Sequence, residues 1–190
     1  MPGLRIISGK ARGRRIRSVP GDTTRPITDQ VKEALFNIIG PDIRDSVFLD
    51  LFAGSGSVGI EALSRGAAFV LFIDVNRMPV EIVRANLKST DLEENSQVLK
   101  MDAFAYLKQT NERIFHYIFV APPQYKNLWK DTLQSIDENI EILSEDGWVI
   151  AQIHPIEEDN LNINELRNLD IFDRRDYGST LLLFFNRRGL

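Results

Sequence analysis

Hydrophobic residues recur along this chain at two different spacings, and each spacing predicts a different kind of element. Near the N-terminus, Leu4, Ile6 and Ile16 alternate with polar residues around two glycines, which predicts two short strands joined by a turn. Thr28 then precedes a segment whose apolar side chains recur at helical spacing, and threonine is a favoured helix cap. The first part of the chain is therefore predicted to form a β-hairpin followed by a helix from about Asp29 to Ile39.

Beyond this helix, short apolar runs alternate with longer segments that have one apolar face. The sequence predicts strands at 46–50, 69–73, 97–101, 117–120 and 148–153, and helices that end near 63, span 79–87 and span 128–143. Strand–helix–strand units of this length are typical of a parallel sheet that helices cover on both faces. The middle of the chain is therefore predicted to be an α/β structure.

The last two predicted strands, 169–177 and 180–185, are separated only by Gly178 and Ser179. A parallel crossover needs many more residues, so these strands are expected to pair antiparallel. The predicted fold is Rossmann-like α/β, with a mainly parallel seven-stranded sheet, a C-terminal antiparallel hairpin, helices on both faces and a small N-terminal β-hairpin. A chain of 190 residues suits one domain. We expect 1–25 to form an arm and 26–190 the catalytic core.

Composition removes several classes of protein from consideration. The apolar fraction of 43% and charged fraction of 26% are those of an ordinary globular protein, and no apolar run is long enough for a membrane helix. The N-terminus lacks the apolar region of a secretory signal. With no cysteine and only His116 and His154, disulfides and thiolate metal sites are excluded, and no metal cofactor is expected. A cytoplasmic protein without membrane contact is the expectation.

The net charge of −4 conceals an uneven distribution. Residues 1–25 carry seven basic side chains against one acid, a net charge of +6, so the remaining 165 residues carry −10. A basic arm on an acidic body favours a local contact with a polyanion such as nucleic acid, although a solvated charged hairpin is the alternative.

A glycine-rich segment, 50–59, lies where the first long strand ends and a helix begins. Gly54 and Gly56 allow the backbone to turn sharply and to approach a bound molecule closely. Asp74 ends the next strand, where an acid can bind both hydroxyls of a ribose, and Asp102 follows the third strand, within reach of an adenine amino group. Each acid could be an ordinary helix cap or turn residue, but three features at successive strand ends favour a nucleotide site. The candidate cofactor-binding residues are Asp50, Phe52, Ala53, Gly54, Ser55, Gly56, Asp74, Asp102 and Ala103.

The sequence of this segment is compatible with two kinds of nucleotide cofactor. Gly54, Gly56 and Gly59 formally satisfy the fingerprint of dinucleotide-binding proteins. Asp50, however, would repel a pyrophosphate and attract the ammonium group of a methionine moiety. The antiparallel C-terminal hairpin also suits a methyltransferase sheet. S-adenosylmethionine, with S-adenosylhomocysteine as product, is therefore the expected cofactor.

The turn after the fourth strand, 121–125, resembles the Asp/Asn-Pro-Pro-Tyr/Phe turn of amino-methylating enzymes, and this resemblance makes it a candidate for the target-base site. An exocyclic amine is a poor nucleophile because its lone pair is delocalised, so acceptors that hold its hydrogens and align it can carry much of the catalysis. The Pro122 carbonyl and the Gln124 side chain could supply acceptors, and Tyr125 could stack on a base. The alternative is a Pro-Pro turn with a structural role only, which ends the strand. The candidate catalytic residues are Ala121, Pro122, Pro123, Gln124 and Tyr125.

Four motifs, in order along nearly the whole chain, resemble the bacterial RsmD-type 16S rRNA guanine-N2 methyltransferases, which are class I S-adenosylmethionine-dependent enzymes. They are RIISGKARGRRI, RPITDQVKEALFNII, DLFAGSGSVGIEALSRGA and RRDYGSTLLLFF. The resemblance implies methylation of a guanine amino group in 16S rRNA, with the assembling small subunit as partner and a monomeric enzyme. The residues expected to contact RNA are Arg5, Lys10, Arg12, Arg14, Arg15, Arg25 and Thr28.

One position departs from the family's pattern. Where that family has Asp or Asn, Pro, Pro and an aromatic residue, this chain has Ala121 and an extra Gln124 before Tyr125. An alanine has no side-chain acceptor, so a catalytically weakened or silent RNA-binding or ribosome-assembly factor is an alternative. A DNA adenine-N6 methyltransferase would share the turn, but such enzymes usually need a target-recognition region for which the chain has no room.

Overall fold

The computed structural model describes residues 4–21, 27–109, 113–123, 128–160 and 166–189. The strands are β1 (Val47–Asp50), β2 (Phe69–Asp74), β3 (Ser96–Lys100), β4 (Phe115–Val120), β5 (Leu143–Ile153), β6 (Leu169–Asp176) and β7 (Leu181–Arg187). The α-helices are α1 (Asp29–Ile39), α2 (Ser57–Ser64), α3 (Arg77–Thr90), α4 (Ala103–Leu107) and α5 (Leu128–Glu138). Short 3₁₀ turns lie at Gly40–Ile43, Ile140–Ile142 and Pro155–Asn160.

The strands form one seven-stranded sheet in the order β3-β2-β1-β4-β5-β7-β6. Strands β1 to β5 pair parallel, and β7 runs antiparallel to both β5 and β6. The predicted α/β fold with its C-terminal antiparallel hairpin is confirmed. Since β1 lies between β2 and β4, the chain segments that leave these three strands emerge side by side at the carboxyl edge, where open α/β sheets bind ligands.

Helices cover both faces of the sheet, and a separate apolar cluster fills each side. One cluster contains side chains from α1, α2, α3 and the N-terminal arm, and the other contains side chains from α4 and α5. The helical spacing predicts four core residues after β4: Trp129, Leu133, Ile136 and Ile140. The first three are buried in the second cluster, and Ile140, which lies beyond the end of α5, packs against it partly buried. In the described part of the chain, we find no helix whose length and apolar character would let it cross a membrane.

Helix α1 begins and ends where its sequence predicts. The Thr28 hydroxyl accepts a hydrogen bond from the Val31 amide at 3.3 Å, which satisfies one of the amides left open at a helix start. Gly40 ends the helix in the left-handed half of backbone space, with φ of 68°, where glycine carries no steric penalty.

Three boundaries differ from the predictions by three residues or more: the end of α3, which continues to Thr90 rather than 87, the end of α5 and the start of β5, which was predicted at 148. The helix predicted to run to 143 ends at Glu138, and β5 begins at Leu143 because that residue pairs with Phe115 of β4. The Asp137 carboxylate accepts backbone N–H groups of Arg167, Asn168 and Leu169, so the end of α5 is held against the start of β6. The short helix α4 was not predicted, since five residues are too few to show a hydrophobic period.

Candidate active site

A cavity of about 630 Å³ opens at the carboxyl edge of the sheet, and we refer to it as the edge cavity. Its volume lies within the range of small-molecule and cofactor sites. The segments that follow β1, β2, β3 and β4 supply most of its wall, and residues 19–21 of the N-terminal arm supply another part. The predicted site residues that line it are Phe52, Gly54, Asp74, Asp102, Ala103, Ala121 and Pro123.

The remaining predicted cofactor residues lie behind this wall. In the described part of the chain, the cavity wall does not include Asp50, Ala53, Ser55 or Gly56. Gly56 adopts a left-handed conformation with φ of 76° and caps α2, and its amide donates to the Ala53 carbonyl at 2.7 Å. These residues therefore shape the loop that carries Gly54.

Asp74 is held rigidly at the cavity wall. One carboxylate oxygen accepts the Gly54 amide at 3.1 Å, and the other accepts the Asn76 amide at 2.9 Å. Each carboxylate oxygen has a second acceptor position, so these two bonds still allow the group to accept hydrogens from a bound diol. The contact also links the glycine loop after β1 with the acid at the end of β2.

Asp102 is both a helix cap and part of the cavity wall. Its side chain accepts the Ala105 amide at 2.9 Å and so caps α4. The same residue lines the edge cavity beside Ala103 and Phe104. Asp102 can therefore cap the helix and border a ligand site at the same time.

Asp50 is a buried carboxyl group at the end of β1. It accepts the Gly59 amide at 3.3 Å, inside the first turn of α2. Burial is the main reason that the pKa of Asp50 is raised to about 7; the Gly59 hydrogen bond acts against this rise, and the nearby charge of Asp74 adds to it. Near neutral pH the Asp50 carboxyl group is therefore only partly ionised.

The Asp50→Asn variant tests this shift through stability. In the folded protein Asp50 binds its proton more tightly than in the unfolded chain, so its contribution to stability is complete below about pH 4 and is lost as pH rises through 7. Between pH 5 and pH 8 the native protein should lose about 2–3 kcal/mol that the variant retains. Urea unfolding of both proteins at the two pH values measures the difference. Parallel pH profiles would show that Asp50 keeps an ordinary pKa.

The predicted target-base turn is only partly described. Pro122 is buried, while Ala121 and Pro123 are partly exposed and line the edge cavity. Gln124 and Tyr125 lie outside the described residues. The turn thus borders the same cavity as the glycine loop and Asp74, as its position after β4 predicts.

The N-terminal arm, residues 4–21, is docked on the body through its backbone. Within the arm, the described pairing amounts to one antiparallel bridge between Arg5 and Arg15, supported by neighbouring backbone bonds, rather than two regular strands. Ile6, Ala11 and Ile16 are buried in the apolar cluster formed by α1, α2 and α3. The arm is therefore part of the same core as the sheet.

A buried group of charges anchors the start of the arm. The Glu61 carboxylate, fully buried on α2, accepts the Ile7 and Ser8 amides at 2.8 and 3.0 Å. It also pairs with Arg65 at 2.8 Å and with Lys32 at 3.6 Å. Lys32 is buried too and donates to the Arg5 carbonyl at 2.7 Å; burial lowers the pKa of Lys32, while the charge of Glu61 opposes that shift.

Ser64 provides a second anchor at the end of α2. Its hydroxyl accepts the Ala11 amide at 2.9 Å and donates to the Ser8 carbonyl, and its own carbonyl accepts the Lys10 amide. Gly9 has φ of 80°, and any Cβ at this position would overlap the Ser64 carbonyl. The close approach of arm and helix therefore requires glycine here.

Lys32, Glu61 and Ser64 were not predicted as functional or anchoring residues. One signal was available for Glu61, a charged residue among apolar neighbours on the fully buried helix α2, and a weaker one for Lys32, which lies next to Val31 on the buried face of α1. Charged residues are almost never fully buried unless they are paired. Such a pattern indicates a buried pair without revealing its partner.

The basic side chains predicted to contact RNA lie on the exposed side of the arm. Arg5 pairs with Asp29, and Arg14 pairs with Asp91, each at 2.6 Å and in an exposed position where ion pairs contribute little. Lys10, Arg12 and Arg15 are exposed and form no ion pair with another described residue. Arg25 lies outside the described residues, and the Thr28 hydroxyl is engaged in capping α1.

Comparisons with known proteins agree on one family and one fold. The family described as "Conserved hypothetical protein 95" matches residues 4–186. The chain is 39% identical over 189 residues to the protein YlbH of Bacillus subtilis (strain 168), covering 98% of this chain and all of that protein. It is 37% identical over 146 residues to ribosomal RNA small subunit methyltransferase D of Escherichia coli (strain K12), covering 77% of this chain and 69% of that one.

Solved structures share the whole fold. The Escherichia coli protein yhhF superposes with a TM-score of 0.85 at 30% identity, and the match covers 98% of this chain and 99% of that chain. The protein SMU.776, solved in complex with SAH, has a TM-score of 0.64 at 20% identity over 82% of this chain and 48% of that chain. The second likeness concerns the fold alone.

Proposed function

This chain belongs to the conserved hypothetical protein 95 family, and from that membership and the edge cavity we propose that it transfers a methyl group from S-adenosylmethionine to N2 of a guanine in 16S rRNA. The observation that carries the proposal is the joint position of Asp74, Gly54 and Ala121 around one cavity. Relatives named ribosomal RNA small subunit methyltransferase D supply the substrate class. The N2 position comes from the resemblance of the motifs.

The residues of the cavity fit this cofactor. Asp74 would accept the ribose hydroxyls, because its carboxylate is already oriented by two backbone amides. Asp102 and Ala103 would face the adenine, and Phe52 would contribute apolar wall. Asp50 lies behind the glycine loop, and the negative charge of its ionised form would attract the ammonium group of the methionine moiety. When bound, S-adenosylmethionine supplies the reactive methyl group.

At the other end of the cavity, the turn after β4 would present the target amine. Ala121 contributes no side-chain acceptor, so the carbonyl of Pro122 and the side chain of Gln124 would hold the amino hydrogens. Tyr125 would stack on the flipped base. Stacking selects a planar ring and fixes the distance between that ring and the tyrosine side chain. Catalysis then depends on orientation rather than on a strong base, and the proton released from the methylated nitrogen passes to water.

The arm would bind the RNA backbone through Lys10, Arg12 and Arg15, and Arg5 and Arg14 could exchange exposed carboxylate partners for phosphates. In the double variant Arg12→Ala/Arg15→Ala we expect RNA affinity to fall and its salt dependence to weaken by about 1.5–2 units of log–log slope. Filter binding over a salt series measures both.

The matched control is Arg167→Ala/Arg188→Ala, which removes two exposed arginines beside β6, at the opposite edge of the sheet from the arm. This variant should keep the native slope. Equal losses in the two double variants would count against the arm as the RNA contact.

The central experiment measures transfer of a labelled methyl group to small subunits from a strain that lacks the modification, with naked 16S rRNA and duplex DNA alongside. Label that maps to a guanine N2 in the subunits supports the proposal. Label only in DNA adenine would favour the DNA methyltransferase.

Ala121 is the specific observation that favours a silent assembly factor. If the native protein binds SAH but transfers no label, Ala121→Asp should restore transfer, because it returns a side-chain acceptor to the turn. An already active native protein excludes the silent factor, and failure to bind SAH removes the basis of the proposal.

A further inference from the structure

Asn86 on α3 is a buried amide that neither the fold nor the proposed chemistry requires. Its side chain is 1% exposed. The carbonyl oxygen accepts the Arg17 amide at 2.8 Å, and the amide nitrogen donates to the carbonyls of Arg17 at 2.9 Å and Ser55 at 2.8 Å. One side chain thus holds both backbone groups of an arm residue and one carbonyl of the glycine loop.

The arm residues that follow this contact form part of the edge cavity. Arg17 is the last anchored residue before 19–21, which line the cavity wall. No other side chain in the described residues is seen to hold the backbone of 17–21 by a hydrogen bond. Among the described residues, Asn86 is therefore the side chain that fixes the backbone two residues before this wall.

The other end of the contact reaches the cofactor loop. Ser55 lies between Gly54, whose amide is bonded to Asp74, and Gly56, whose Cα packs near Val83 of α3. Helix α3 also supplies residues 77–79 to the cavity. Hydrogen bonds from Asn86 to Arg17 and Ser55, the loop backbone at 54–55 and the Gly54–Asp74 hydrogen bond therefore connect the arm with Asp74.

We propose that Asn86 is a positioning residue that couples RNA binding on the arm to cofactor binding in the edge cavity. RNA bound to the docked arm also restricts the wall at 19–21, so the cofactor gives up less freedom of that wall when it binds in the cavity. By linkage, the cofactor strengthens RNA binding by the same factor. This inference rests on the proposed function, because it requires both ligands.

The test is a thermodynamic cycle on the full chain. Labelled SAH is titrated by equilibrium dialysis with and without saturating unmodified small subunits, for the native protein and for Asn86→Asp. Aspartate keeps the acceptor for the Arg17 amide but replaces two N–H donors with an acceptor. The native protein should bind SAH about five-fold or more tightly with subunits present, and the variant should show no such gain while binding each ligand separately.

A matched control and a second variant keep the outcome decisive. Asn139→Asp changes a partly buried amide just after α5, whose side chain bonds to the Ser135 carbonyl and to no other described residue, and it should retain the native gain. Pro20→Gly loosens the wall without altering Asn86, so it should lose most of the gain even if Asn86→Asp fails to fold. Full coupling in either Asn86→Asp or Pro20→Gly overturns the inference.

The cycle also separates this inference from the proposed function. If the native protein binds both SAH and subunits but binds them independently, the coupling is wrong and the proposed function stands. If SAH does not bind with or without subunits, the proposed function and the coupling fail together.

Discussion

Replacing Glu61 with alanine is expected to lower the free energy of unfolding by about 3–5 kcal/mol, because it leaves a buried cation without its partner. Lys32 is fully buried beside Glu61, and the Ile7 and Ser8 amides lose their acceptor in the same step. Burial already lowers the pKa of Lys32, and the charge of Glu61 acts against that shift. Without the carboxylate, the charged form of Lys32 keeps only its neutral partners in the core, the Arg5 carbonyl and the Ser57 hydroxyl.

Glu81→Ala is the matched control for this change. Glu81 pairs with Arg77 four residues away on α3, as Glu61 pairs with Arg65 four residues away on α2, but both Glu81 and Arg77 are exposed. The control should cost less than about 1 kcal/mol. Urea unfolding followed by circular dichroism compares the two. Similar small losses in both variants would contradict a buried anchor.

The Glu61→Ala variant should also release the arm from helix α2. Since Glu61 holds the backbone of residues 7 and 8, its loss should raise amide exchange across the arm more than across the sheet. The double variant Lys32→Met/Glu61→Leu removes both buried charges and should recover part of the stability. It should not restore the arm, because the Ile7 and Ser8 amides still lack an acceptor.

Replacing Asp74 with alanine is expected to weaken SAH binding by about two to four powers of ten. Two hydrogen bonds from a ribose to a carboxylate are each worth about 1.5–3 kcal/mol, and each 1.4 kcal/mol changes affinity about ten-fold. The loss also frees the Gly54 amide, which Asp74 accepts at 3.1 Å, so the glycine loop becomes less ordered. Isothermal titration with SAH measures the change.

Asp146→Ala, which removes an exposed carboxylate from β5, is the control and should leave the affinity unchanged. Asp74→Asn should fall between the native protein and the alanine variant, since an amide keeps one acceptor for Gly54. An affinity within about three-fold of native for Asp74→Ala would show that the cofactor does not use this acid.

Strands β1, β2 and β4 could be predicted because nearly all of their residues are buried and form short apolar runs. β2 and β4 agree with their predictions to within about two residues, and the antiparallel end of the sheet follows from the brief Gly178-Ser179 link. The end of α5 could not be predicted, because Asp137 gains partners about thirty residues away in the chain.

The cavity-lining residues could also be predicted in large part. Gly54, Asp74 and Asp102 each follow a strand, and parallel strands bring their carboxyl ends to one edge. Asp50 and Ser55 belong to the same motif but do not line the cavity, because residues in a tight turn point in different directions. Asn86 carried no sequence signal, since an asparagine in a helix is usually exposed.

The sequence by itself determined the kind of each main element, the fold class and the strand ends at which a ligand would bind. Those properties depend on residues within a few positions of one another, so a hydrophobic period or a glycine turn is enough to reveal them. Only the tertiary structure decided which buried polar groups meet. Glu61 accepts hydrogen bonds from amides that lie 54 and 53 positions away in the chain, and Asn86 accepts one from Arg17, 69 positions away. Such partners are chosen by the packing of distant segments, because each buried polar group must find a hydrogen bond wherever the fold brings one close.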